Sequence, residues 1–166
     1  MTFVSIIINN KSDYEIMKNC VDTFEKFNVN YEVVVSPAHS FPQRTKEYIN
    51  KAEEKGAVAF ICGVTKASSL SSFVAAQTTK PVISISSKSE SFNSVDAVLM
   101  AESTKTPVSM PVSSVGLGKT GAINASYLAM QMLAITDKEL AIKLKEDRVV
   151  KSKKIDTDSK EIEVIL

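Results

Sequence analysis

The chain has 166 residues, 44% hydrophobic and 23% charged, with twenty Lys and Arg against nineteen Asp and Glu. That length suits one α/β domain with a substantial core, and a net charge of +1 lacks the basic footprint of a general nucleic-acid binder. Two distant cysteines, Cys20 and Cys62, and a single histidine, His39, offer no Cys/His zinc centre and no redox pair. No segment approaches the ~20 apolar residues of a membrane span. The first apolar run, 3–8, is too short for a signal peptide, so the expectation is a soluble, cytoplasmic chain without membrane partners.

Residues 3–8 (FVSIII) predict the first strand. Ser12 or Asp13 is placed to cap a helix whose apolar residues Ile16, Met17, Cys20, Val21, Phe24 and Phe27 recur at helical spacing. A second strand is expected over 31–35 and a helix over 42–55, ended by Gly56. The continuous apolar run 58–62 reads as a strand covered on both faces. A helix over 69–79 and a strand over 82–85 follow, then a Ser- and Lys-rich loop over 86–94. Residues 95–101 suggest a short helix and 107–112 an extended piece. The helix over 120–134 is apolar on almost every face, as a helix buried on several sides should be, and an amphipathic helix spans 137–149. The alternation of strands and helices predicts βαβ units and a parallel sheet in one domain, 1–150. The charged tail, 151–166, is expected to be frayed or docked as an edge strand.

Gly116, Gly118 and Gly121 satisfy a G-x-G-x-x-G spacing, with Lys119-Thr120 between them. A phosphate-binding Walker loop needs glycine where Ser113 stands, and a dinucleotide fingerprint belongs to an early βαβ unit with an acidic residue ending the next strand. These glycines are better read as permitting a tight turn into a buried helix. No Gly-x-Ser-x-Gly elbow is present.

Loops that follow parallel strands emerge on one edge of the sheet, where open α/β folds gather their chemistry. Here those loops are 9–13, 37–40 and 63–70, which bring Lys11, Lys66, Asp13, several hydroxyls and His39 toward one edge. Imidazole is the side chain best suited to moving protons near neutral pH. The first and third loops open helices, whose free N–H groups attract phosphate. Each residue also has a plainer reading: Ser12, Asp13, Ser68 and Ser69 as helix caps, Lys66 in solvent, His39 as a loop-bonding group.

Several blocks carry a family resemblance: Lys11-Ser12-Asp13, Ala38-His39, Pro42, Ala75-Ala76, Pro81-Val82, Val95-Asp96 and Pro111-Val112. More specific are Gly118-Lys119-x-Gly121-Ala122-x-Asn124-Ala125 and Ala134-x-x-Asp137-Lys138-Glu139-Leu140. Over about 4–144 the chain resembles the class I PurE enzymes of purine biosynthesis, carboxyaminoimidazole ribonucleotide mutases related to aminoimidazole ribonucleotide carboxylases. The resemblance implies a three-layer αβα, flavodoxin-like, doubly wound parallel sheet with C-terminal helices. It further implies an octamer with sites near subunit interfaces, a ribonucleotide substrate, no metal and no organic cofactor. It makes His39 the catalytic proton carrier and gives Ser12 and Asp13 to ribose and phosphate.

The loops also depart from that family. Asn9-Asn10 replaces Gly-Ser, Pro37 and Ser40 flank Ala38-His39 where the family has serine and a phosphate-binding arginine, and Ser69 replaces a second histidine. Ser71 and Ser72 stand where the family has proline and glycine. Lys11, Arg44 or Lys66 is then expected to hold phosphate, and the substrate-binding set is Asn10, Lys11, Ser12, Asp13, Ser40, Arg44, Lys66, Ser69 and Leu70. Three readings stay open: a mutase with a rearranged pocket, a same-fold enzyme acting on another small carboxylated substrate, and a catalytically silent paralogue that binds a ligand or supports an active subunit.

Overall fold

The computed structural model describes residues 1–64, 69–86 and 107–162. Its chain divides into two compact units, Met1–Ala129 and Met130–Leu166. The first is built on strand β1 (Phe3–Ile8), all six of whose residues are buried. Around it stand β2 (Tyr31–Val35), β3 (Ala57–Val64), β4 (Val82–Ser86) and β5 (Ser113–Leu117), in the order β2-β1-β3-β4-β5. Every neighbouring pair is parallel. This is the doubly wound, flavodoxin-like order, with its switch point between β1 and β3.

Alternation along β1 sends side chains to opposite faces. Phe3 and Ile7 join Ile49 and Ala52 of α2 (Pro42–Lys55) and Leu70 and Val74 of α3 (Ser69–Ala75) in one core cluster. The other face carries α1 (Tyr14–Phe27) and α4 (Gly118–Leu133). Met17 of α1 lies against Gly63, Phe27 meets Tyr127 edge to face at 5.7 Å, and Ile85 of β4 approaches Gly121. Three layers follow directly from strands that are apolar on both sides. Left-handed residues close the first two helices: Asn28 at φ 56° after α1 and Gly56 at φ 106° after α2.

The glycine motif is a packing device. Gly116 lies at φ 126° and Gly118 at φ 54°, and a Cβ on Gly121 would stand 2.4 Å from the Gly116 carbonyl oxygen. The chain thus turns from β5 into α4 through a space that admits no side chain.

Several expected elements are corrected. The fifth strand is 113–117, although Ser113-Ser114 and Gly116 are poor strand formers; 107–112 instead contains a turn, with the Met110 amide donating to the Pro107 carbonyl at 3.1 Å and Ser109 at φ 79°. α3 ends at Ala75, four residues before the expected end, because the Gln77 amide bonds the Val74 carbonyl and closes a turn. α4 begins at Gly118, two residues earlier than expected. Ser86, expected to open a loop over 86–94, instead ends β4 by pairing with β3 and β5; residues 87–94 and the helix expected over 95–101 lie outside the described residues.

In the second unit, Asp137 accepts from the Leu140 amide at 3.0 Å and so caps α5 (Lys138–Ile162). This helix of 25 residues runs straight through the expected tail, which is neither frayed nor an edge strand over 151–162. Helix-supporting pairs at i,i+4 spacing explain part of that extension: Lys143–Glu139 and Lys151–Asp147, both 2.8 Å. Residues 163–166 lie outside the described residues. Among the described residues, no helix is long and apolar enough to cross a membrane.

Candidate active site

Strand register brings the loops to a common height. Ile8 is paired with Val35 on one side and with Gly63 on the other, so the chain leaves β1, β2 and β3 at one level. The loop after β1 lies at the switch point, and the loop after β2 lies beside it.

The β1 loop is tied together by internal hydrogen bonds. Asn10, in extended conformation, caps a 3-10 turn, Lys11–Asp13, that leads into α1. Its side-chain oxygen accepts from the Asp13 amide at 3.3 Å and from the Ser12 hydroxyl. Asp13 returns the bond: its Oδ2 accepts from the Asn9 amide at 3.2 Å and the Asn10 amide at 3.3 Å. This is a reciprocal capping box. Asp13 is only 3% exposed, yet among the described residues its Oδ1 has no hydrogen-bond partner. A buried, unpaired carboxylate oxygen at the switch point is costly and calls for a donor. Lys11 and Ser12 are exposed on the outside of the same turn.

The β2 loop is built differently. The Ser36 amide continues the ladder to the Ile8 carbonyl at 2.8 Å, and the buried Ser36 hydroxyl pairs with that of Thr45 at 2.8 Å. The Pro37 carbonyl then accepts from both Ser40 (3.1 Å) and Phe41 (2.9 Å), folding the chain into a tight turn over buried Ala38. That turn leaves His39 and Ser40 exposed. α2 begins with Pro42 at its first position and no side-chain cap from Phe41, and Arg44 is exposed in its first turn.

The expected site residues therefore separate. Asn10, Lys11, Ser12 and Asp13 share one loop; His39, Ser40 and Arg44 occupy the next one along the same edge. Ser69 opens α3. Leu70 is fully buried, and its side chain is committed to the core cluster. Lys66 lies outside the described residues. Asp13 holds the N-cap position of α1, as expected, but its side chain makes no cap bond there; the side chain that caps is Asn10's, on the 3-10 turn before α1, and the signal was the spacing Asn10-x-x-Asp13, which has the form of a capping box.

Neither cysteine is a nucleophile. Burial pushes the Cys20 thiol up to about 12, and burial raises Cys62, at the end of β3, further still. Burial likewise pushes Tyr48, whose hydroxyl bonds Ser5 of β1 at 2.8 Å, up to about 12. Among the described residues, no three His, Cys, Asp or Glu converge as a metal site.

A parallel sheet of this order, with polar loops at its switch point, defines a flavodoxin-like α/β protein whose ligand edge is the carboxyl end of its strands. The AIR carboxylase family model matches residues 3–154, and the chain belongs to that family. It is 39% identical over 145 residues to an N5-carboxyaminoimidazole ribonucleotide mutase of Bacillus subtilis, covering 87% of this chain and 88% of the relative. A mutase of the same name from Pyrococcus abyssi is 38% identical over 148 residues, covering 89% and 83%. The fold is shared with the crystal structure of Treponema denticola PurE, at a TM-score of 0.83 and 20% identity, covering 98% and 99% of the two chains.

Proposed function

We propose that the chain is an N5-carboxyaminoimidazole ribonucleotide mutase, which moves a carboxylate from the exocyclic nitrogen of its substrate to a ring carbon. The observation that carries this reading is agreement over most of both chains with relatives of that name, together with the one imidazole of the chain held exposed at the ligand edge. In this reading the N–C bond breaks to release carbon dioxide, and the ring carbon captures it. The ring-carbon proton then leaves to His39, and one proton ends on the freed nitrogen. The reaction is an isomerisation, so its atoms balance without an added oxidant or co-substrate.

His39 is the catalytic group. Asn10, Lys11, Ser12 and Asp13 border the substrate on one side, and Ser40 and Arg44 on the other, with Lys66 and Ser69 contributed after β3; Leu70 serves the core behind them. Arg44 or Lys11 supplies the cation for phosphate, a charge that Ser40 lacks. The working domain is 1–150 with 151–166 appended, assembled as a cytoplasmic homo-octamer. Calorimetric titration with N5-carboxyaminoimidazole ribonucleotide, followed by turnover on the same sample, tests the reading. Binding with turnover supports it; absence of binding at millimolar ligand overturns it.

A further inference from the structure

The start of α2 carries a side chain that helix chemistry does not ask for. N-cap positions favour Ser, Thr, Asn and Asp, whose oxygens satisfy free amides of the first turn. Here the N-cap is Phe41, which makes no side-chain cap bond and is 58% exposed. A single exposed phenylalanine is ordinary on a protein surface, but three observations set this one apart. It stands two residues from His39, in the turn closed on the Pro37 carbonyl. Its backbone is held on both sides: the Phe41 amide donates to Pro37 at 2.9 Å, and the Phe41 carbonyl accepts from the Thr45 amide at 3.1 Å and the Thr45 hydroxyl at 3.2 Å. Finally, exposed apolar residues gather on this edge. Among the described residues of the first unit, apart from Met1 and Val108, the large ones are Tyr14 just past the β1 loop, Val35 at the end of β2, and Phe41.

A ring on a fixed backbone has only two torsions left to order, so it presents a flat apolar face at small entropic cost. Small-molecule sites combine such apolar faces with a few polar groups. We propose that Phe41 is a substrate-binding residue whose ring stacks on the planar aminoimidazole ring of the substrate, beside His39. The assignment rests on the mutase reading for its substrate, and it adds a contact that the charged and hydroxylated residues of these loops do not supply. Stacking fixes the plane of the heterocycle through dispersion and the ring quadrupole. Arg44 or Lys11 holds the phosphate, and His39 then meets a ring carbon already held in place. The cap oxygen that α2 lacks is the structural cost of that face.

The test uses the full-length protein. Phe41→Ala should raise KM for N5-carboxyaminoimidazole ribonucleotide about tenfold, the size of one modest base–aromatic stack, with kcat changed less than about threefold. Phe41→Leu keeps apolar bulk without a π face and should lose nearly as much, while Phe41→Tyr should recover most of the loss. Phe41→Thr offers an oxygen at the N-cap; it should raise KM as alanine does, with a urea midpoint at or above that of wild type. Sedimentation should give all four variants the wild-type mass.

An unchanged KM in Phe41→Ala overturns the stacking contact, and so does a wild-type KM in Phe41→Leu, which would reduce the side chain to apolar cover. A lower mass in Phe41→Ala would make it a contact between copies instead. Wild-type protein that neither binds nor turns over the substrate removes the mutase reading and this contact with it; wild-type turnover with unaltered variants removes the contact alone.

Discussion

The loops after β1 and β2 stand side by side on one edge of one sheet, and they solve opposite problems. The first buries a carboxylate and holds one of its oxygens with two backbone amides, leaving the other without a partner among the described residues. The second hides its own bonding in the backbone and a buried hydroxyl pair, and leaves its imidazole in the open. A fixed acceptor suits recognition, where geometry must exist before the ligand arrives. An exposed proton carrier suits chemistry, where the group must meet a substrate atom and then release its proton.

The largest effect should come from the open loop. His39→Asn is expected to cut turnover about 10²–10⁴-fold, the usual worth of a general acid–base, while calorimetry shows substrate binding within a few-fold of wild type and urea unfolding is unchanged, because the side chain is exposed. An unaltered rate would end the division drawn here. Next is the β1 loop: Asp13→Ala leaves the amides of Asn9 and Asn10 without their acceptor and should cost about 1–3 kcal/mol in chemical denaturation.

Thr45→Val asks whether the second loop depends on its buried support. It strands the Ser36 hydroxyl and should cost about 1–2 kcal/mol, with turnover falling less than in His39→Asn.

The smallest effect is in pH. Tyr48 holds its proton up to about 12 in the folded protein against an ordinary 10. Its contribution is therefore whole below pH 10 and lost as pH rises from 10 toward 12. Tyr48→Phe should flatten that part of the alkaline decline in thermal melting temperature; an unaltered alkaline slope would show that burial of the Tyr48 hydroxyl does not report on folding.

Much of this architecture is legible in the sequence. β1, α1, β2, α2 and β3 declare themselves because their apolar residues repeat at the spacing of their buried faces, and Gly56 marks the end of α2 by its backbone freedom. β5 hides because its stability comes from pairing with β4 and from the tight turn into α4, while its own residues, Ser113-Ser114-Val115-Gly116-Leu117, carry no strand pattern. The reach of α5 hides for a related reason: residues 149–160 are all exposed, so no buried apolar face marks the helix beyond Arg148. The common level at which the chain leaves β1, β2 and β3 is legible from strand order. The spacing Asn10-x-x-Asp13 signals the reciprocal bonds of these two residues, but that they close a 3-10 turn before α1 shows only in the structure.

One consequence lies in the buried core. Cys20 and Cys62 sit on α1 and β3, both at 0% exposure and both held as protonated thiols. A thiol-specific reagent can therefore reach them only when the core parts, and the two labelling rates act as native clocks. Equal rates would record opening of α1 and the sheet as one event; a faster Cys20 would record the helix lifting first.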